Sequence, residues 1–198
     1  MKKLLVTAIL FFALGTNITF AQNFNKGLDA YVAGEYTVAI KEWKPLAERG
    51  NAAAQYLLGV IYQKGMGVLQ DYAEAVKWYR LSAEQSSPEA QSNLGHIYQM
   101  GEGVPQDYSK ALKWHRLAAE QNYAASQVSL GVLYQYGNGV IKDNVTAHMW
   151  YNIASANGFE AAGIWRDEIA KNITTSDISK ATAMARECMA SDYKKCGY

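Results

Sequence analysis

The sequence predicts an all-α fold, a short solenoid of antiparallel helix pairs closed by C-terminal capping helices. Three observations predict it. A block of residues recurs three times in phase, with Leu58, Leu94 and Leu130 standing 36 residues apart. Inside each block the apolar positions follow helical spacing rather than alternation. Only 3 prolines fall in 198 residues, while the strong helix formers Ala, Leu, Glu, Gln and Lys are common. A period of this length is the mark of a stacked array, because one helix pair cannot bury its own apolar face.

The chain begins with a segment that reads as a signal peptide, residues 1–21. Lys2 and Lys3 precede an apolar run from Leu4 to Leu14 that is broken only by Thr7. A short stretch from Gly15 then ends Thr19-Phe20-Ala21, an acceptable cleavage site before Gln22. The rival is a membrane anchor, but the run falls short of the roughly 20 apolar residues that a span needs. The expectation is export to the periplasm or beyond, with no stable membrane insertion after cleavage.

Residues 22–158 read as the array. A partial repeat covers 23–50, with a first helix from Phe24 to Val32. Its loop, Ala33-Gly34-Glu35, is short, and Tyr36, Ala39, Trp43 and Leu46 mark a second helix. Gly50-Asn51 then ends this unit and caps the next. Full repeats follow at about 52–86, 88–122 and 124–158. Each opens with helix A, which carries Ala54, Leu58, Gly59 and Tyr62 and their counterparts Ala90, Leu94, Gly95 and Tyr98. The third copy has Ser126, Leu130, Gly131 and Tyr134. A mid-helix glycine costs up to ~1 kcal/mol of propensity, which suits a place where a neighbouring helix must come close. Gly65-Met66-Gly67, Gly101-Glu102-Gly103 and Gly137-Asn138-Gly139 stop helix A, one glycine taking the left-handed conformation. Asp71, Asp107 and Asp143 then stand where helix B needs an N-cap. Glu74 completes a capping box with Asp71 in the first copy. In helix B, Ala75, Trp78, Tyr79 and Ser82 form one stripe of small and large residues. Ser87-Pro88 marks the next start, Ser as N-cap and Pro at the first helical position.

Residues 159–198 leave the repeat. Ala161 to Asn172 reads as one helix. A last helix, capped by Thr175 or Ser176, carries Ile178, Ala181, Ala185 and Cys188. Together they are expected to cover the exposed end of the array. The two cysteines, Cys188 and Cys196, are expected to form a disulfide that pins the tail, in keeping with an oxidising compartment. A metal pair or free thiols are the rivals, and two cysteines without a nearby His make a poor zinc site.

The repeated pattern Ala-x-x-x-Leu-Gly-x-x-Tyr-x-x-Gly-x-Gly-Val-x-x-Asp-x-x-x-Ala-x-x-Trp resembles the Sel1-like repeat, a relative of the tetratricopeptide repeat. The likeness spans about 52 to 158. It is weakest in the third copy, where Asn144 stands in place of Tyr72 and Tyr108. The last part of the chain is similar to the end of small exported bacterial members. The resemblance implies a right-handed α-solenoid and a protein-interaction scaffold of the kind linked to host–microbe contact, envelope regulation and complex assembly.

It also implies where a partner sits. In tetratricopeptide-like arrays helix A lines the concave face, and the outward positions are those that vary between copies. They are Tyr56, Ser92 and Val128; Val60, His96 and Val132; Gln63, Gln99 and Gln135; and Lys64, Met100 and Tyr136. Such a groove, aromatic, amide and partly apolar, suits an extended or helical peptide whose backbone the glutamines bond. The rivals are plain solvated glutamines, or docking on the loops or on helix B.

Other classes find little support. The balance of 19 Lys and Arg against 18 Asp and Glu gives no electrostatic case for nucleic acid. No His-Glu-x-x-His, phosphate loop or dinucleotide fingerprint appears, so no metal or cofactor is expected. Of the three histidines, His115 stands where other copies have Tyr79 and Tyr151 and reads as a packing residue, and His148 falls on the next helix B. Some cysteine-rich relatives have been described as penicillin-binding or β-lactamase-like. Ser191-Asp192-Tyr193-Lys194 matches Ser-x-x-Lys, but neither Ser-Asp-Asn nor Lys-Thr-Gly accompanies it. The expected function is a non-catalytic, monomeric interaction module of the bacterial envelope that binds an unidentified protein or peptide. The alternatives are a β-lactamase-like or cell-wall-acting enzyme and a self-associating structural protein.

Overall fold

A computed structural model describes residues 23–196. Among them the chain forms ten helices and no strand. These are α1 (23–32), α2 (Tyr36–Glu48), α3 (Ala52–Lys64), α4 (Tyr72–Glu84) and α5 (Pro88–Met100). There follow α6 (Tyr108–Ala119), α7 (Ala124–Tyr136), α8 (Asn144–Ala156), α9 (Ala161–Ala170) and α10 (Thr175–Ala190). The expected signal segment, residues 1–21, lies outside the described residues. The helices fall into two compact units that divide after Ser82, within the last turn of α4.

The first unit is built around Trp43. Its indole is fully buried among Ala39, Leu46, Leu58 and Ile61, with Phe24 and Tyr31 packed alongside. A Cβ on Gly27 would stand 2.3 Å from the indole nitrogen, so α1 and α2 meet only because that position is glycine. The indole N–H donates to the Phe24 carbonyl at 3.1 Å. The same device recurs in the full repeats. Gly59 lies against the ring of Tyr79, where a Cβ would stand 2.5 Å from the nearest ring carbon.

In the second unit α5 packs on α6, α6 on α7, and α7 on α8, and both α9 and α10 pack on α8. Its core runs from Leu112 through Leu130, Leu133, Trp150 and Ile153 to Ala162, Ala181 and Cys188. Burying each such large side chain contributes about 1.5–3 kcal/mol. Gly95 and Gly131 receive the rings of His115 and Tyr151 as Gly59 receives Tyr79, with would-be Cβ distances of 2.7 and 2.5 Å. Helix B is therefore pressed against helix A at one glycine per repeat, and the propensity penalty is offset by that contact.

The caps follow the repeat. Asp107 accepts from the Lys110 amide at 2.9 Å, and Asp143 from the Val145 and Thr146 amides. Asn51 and Ser87 cap α3 and α5 through the amides of Ala54 and Ala90, with Pro88 in the first turn. Gly65, Gly101 and Gly137 close the A helices in the left-handed region.

Two expectations fail here. Asp71 caps α4 through the Glu74 amide at 2.9 Å, but the capping box with Glu74 does not form. The Asp71 amide is already bonded to the Tyr62 carbonyl at 2.9 Å, and the Glu74 carboxylate pairs with Lys77. The last helix is capped by Thr174 rather than Thr175 or Ser176. The reason is Asp177, which stands three residues after Thr174 and returns its bond, giving a reciprocal box.

A buried ladder ties successive pairs. Gln55, Gln91 and Gln127 are 3%, 3% and 0% exposed. Their amides donate to the carbonyls of Ala47, Ala83 and Ala119, at the end of the preceding helix B. Gln91 and Gln127 in turn accept from Gln121 and Asn157, just beyond the end of the following helix B. Each glutamine thus gives a helix-end carbonyl a second donor beside the turn amide that it already accepts, from Gly50, Ser86 and Asn122 respectively.

Cys188 and Cys196 are joined, with Cα atoms 4.4 Å apart. The loop that they close brings Tyr193 back to the repeats. Its hydroxyl donates to Asn122 at 2.7 Å and accepts from Asn157 at 2.9 Å.

Candidate partner-binding surface on the A helices

The exposed part of each helix A is a narrow stripe, because the helix is flanked on several sides. In the second unit α7 touches α5, α6 and α8. The expected site residues of this unit are Ser92, His96, Gln99 and Met100 on α5 and Val128, Val132, Gln135 and Tyr136 on α7. Tyr56, Val60, Gln63 and Lys64 lie on α3 of the first unit.

Not all twelve face solvent. Val60 and Val128 are each 9% exposed and belong to the interior, and Val132 is half-buried against the second unit's core. Val60 and Val128 were expected to line a groove and are buried instead, while Val132 keeps partial exposure. The periodicity of one helix marks a face, but neighbouring helices decide how much of that face they cover. Tyr56 is half-buried, its ring 6.0 Å from that of Tyr79. Ser92 and Gln99 are half-buried, while Lys64 and His96 are exposed. Met100 and Tyr136 are the large apolar side chains of α5 and α7 left in water, at 51% and 66% exposure.

The glutamines differ among themselves. The Tyr79 hydroxyl donates to Gln63 Oε1, and the Tyr151 hydroxyl to Gln135 Oε1, both at 2.7 Å. His115 replaces the tyrosine in the middle repeat and meets Ser126 Oγ through Nδ1 at 3.2 Å. Burial pulls the His115 imidazole down to about 3, with a smaller contribution from His96, so it is neutral in the folded chain. Burial also raises the Tyr151 hydroxyl, with Tyr136 adding to the effect. At Asp143 burial acts to raise the carboxyl, but bonds from Thr146 and Val145 hold it below its usual value.

The sequence reading placed a helix from Ala161 to Asn172, found as α9 (Ala161–Ala170), but missed that it keeps the register of a helix A. Ala162 occupies the buried position of Ala54, Ala90 and Ser126, so α9 stands where a further helix A would be. Its Ile164 matches the register of Tyr56, Ser92 and Val128 and is 70% exposed. Trp165 lies 5.9 Å from both Tyr151 and Phe159 and is 41% exposed. Trp165, packed on the buried ring of Tyr151, therefore adds an exposed aromatic edge beyond the third repeat. The register was readable in Ala161-Ala162, but the loss of Gly-x-Gly concealed it.

Ser191 has a structural task. Its hydroxyl donates to the Cys188 carbonyl at 2.8 Å and accepts from the Lys195 amide at 2.9 Å, closing α10. Among the described residues no three His, Cys, Asp or Glu side chains gather as a metal site. No helix among them is long and apolar enough to cross a membrane.

The Sel1 repeat family model matches residues 52–87, 88–123 and 124–159, more than half of the chain. The chain belongs to the Sel1 repeat family. Two solved structures extend the likeness. A Sel1 repeat protein from Oxalobacter formigenes is 37% identical with a TM-score of 0.67, over 70% of this chain and 57% of that one. The protective antigen c5321 of uropathogenic Escherichia coli, which displays an SLR fold, is 28% identical with a TM-score of 0.54. That match covers 88% of this chain and 47% of the antigen. The chain therefore spans about half the length of the solved Sel1 repeat proteins that it matches. No curated protein matches it. The fold is the all-α solenoid repeat of these neighbours, and Sel1 membership implies a protein–protein interaction scaffold.

Proposed function

We propose that this Sel1 repeat protein is a non-catalytic interaction module that holds a peptide segment of a partner on the A-helix face of its second unit. The observation that carries the reading is the exposure of Met100 and Tyr136 at the same register of two touching helices. Large apolar side chains left in water on touching helices mark a contact surface. Exposed Ile164 and Trp165 add apolar surface on α9. Sel1 repeat proteins are in general interaction modules without catalysis, and the bonds of Ser191 give the one lactamase-like signature a structural role.

Export is part of the proposal. It rests on the signal-like segment from Lys2 to Ala21 and on the Cys188–Cys196 bond, which suits an oxidising compartment. The test is a pull-down from the envelope fraction of the native cell with residues 22–198 as bait. The control bait carries His96→Ala, Met100→Ala and Tyr136→Ala, with circular dichroism to show that it stays helical. A protein held by the wild type and lost by the folded triple variant is the expected result. A partner held equally by both baits would move the site off this face.

A further inference from the structure

The three repeats each place one glutamine in the last turn of helix A, and helix B treats the middle one differently. Tyr79 and Tyr151 lie across Gly59 and Gly131 and reach Gln63 and Gln135, each with a hydroxyl at 2.7 Å. His115 lies across Gly95 in the same way, its nearest ring atoms 2.7 Å from the would-be Cβ. The imidazole is shorter than a phenol and has no hydroxyl. Its Nε2 is buried without a hydrogen-bond partner, and the residue is 1% exposed. The Gln99 side chain therefore lacks the tie that holds its two counterparts. Gln106 bonds the Gln99 main-chain carbonyl at 2.8 Å and leaves the side-chain amide free.

A glutamine amide offers one acceptor and two donors. In Gln63 and Gln135 the acceptor is already taken by the tyrosine. Gln99 alone presents both functions from a half-buried position beside exposed His96 and Met100. The two helices that form this face carry almost no charge. The helices α5 and α7 contain a single charged residue, Glu89, in the first turn of α5 and far from Gln99. A charged group set down here would lose water and find no counter-ion on α5 or α7. On the adjoining α6, Lys110 and Lys113 lie over the rings of Tyr98 and Trp114, and Arg116 bonds the Tyr134 hydroxyl. A peptide main-chain unit fits instead, since it is uncharged and offers one N–H and one C=O.

We propose that Gln99 grips the main chain of an uncharged stretch of the partner peptide, amide against peptide group, and that His115 is the residue that leaves it free to do so. This rests on the reading of the A-helix face as a peptide-binding surface. In this arrangement the flanking repeats are stiffened by their Tyr–Gln bonds, and the middle repeat supplies the anchor.

The probe is a peptide selected from a random displayed library on the immobilised full chain. Its affinity is measured calorimetrically for wild type, Gln99→Ala, His115→Tyr, Gln63→Ala, Gln135→Ala and Tyr136→Ala. Gln99→Ala is expected to weaken binding about tenfold, as the loss of two hydrogen bonds implies, and His115→Tyr about fourfold, since the phenol takes only the Gln99 acceptor. Gln63→Ala and Gln135→Ala change it less than about threefold, because each loses at most one donor. His115→Tyr guards against misfolding, since it gives the middle repeat the ring of its neighbours and leaves the unfolding midpoint unchanged or raised. A peptide that is lost on Tyr136→Ala yet indifferent to Gln99→Ala and His115→Tyr overturns this inference and leaves the peptide-binding face standing. A peptide indifferent to every variant, or a library that yields no binder, overturns both.

Discussion

His115 shows how one substitution inside a repeat changes both packing and titration. The position demands a flat ring over glycine, and imidazole meets that demand with less reach than phenol. Its burial has a consequence for stability. The folded imidazole titrates at about 3, against an ordinary value of 6.5. Between these two values the unfolded chain holds a proton that the folded chain refuses. The stabilisation is complete above pH 6.5 and is lost as the pH falls toward 3. Its limiting slope is about 1.4 kcal/mol per pH unit. His148, also lowered by burial and by Arg166, acts in the same direction. Urea unfolding at pH 7 and pH 5 should therefore show a marked loss in the wild type and a smaller one in His115→Tyr. Equal losses in the two proteins would mean that His115 is protonated inside the fold.

At the scale of elements, the ladder of buried glutamines joins one helix pair to the next. Gln127 links the end of α6 to α7 and, through Asn157, to the end of α8. Gln127→Ala removes both bonds and leaves the Ala119 carbonyl with the Asn122 amide as its remaining donor. The expected loss is about 1–3 kcal/mol, read from chemical denaturation. A loss of a few tenths would show that water replaces the amide without penalty. Much of this level was legible in the sequence. The repeat fixes where helices start and stop, because Asp, Ser and Asn caps and Gly stops act over three or four residues. The Gly–ring contact was foreseeable too, as a mid-helix glycine needs a reason. The ladder was not, although Gln55, Gln91 and Gln127 recur in phase. A recurring glutamine on a helix reads equally as solvated, and only the neighbouring pair makes it buried. The candidate surface failed in the same way at Val60 and Val128, whose burial is set by the helices beside them. Gln63, Gln99 and Gln135 looked alike for want of a view of the ring that each one meets.

The scale of the whole molecule is where the tail matters. After α10 the chain turns back at Ser191, and the Cys188–Cys196 bond holds it there. This places Tyr193 between Asn122 and Asn157, the turns that follow α6 and α8. One hydroxyl thus straps the ends of two successive B helices, on the side where the ladder also ends. A free tail of so few residues would lose its entropy for only two hydrogen bonds, so the bond does most of the ordering. The chain-entropy model gives a loop of this size about 2.5 kcal/mol. Replacing both cysteines by Ala should lower the denaturation midpoint by that order while leaving the helical circular dichroism unchanged. Hydrogen exchange should then rise first in residues 192–196 and last in α7, which is enclosed by α5, α6 and α8. Tyr193→Phe with the disulfide intact should lose only about 1 kcal/mol, the worth of the strap by itself. If the double-Ala protein kept its midpoint, the tail would contribute nothing to the array. The ties from Tyr193 to Asn122 and Asn157 would then be incidental to its stability.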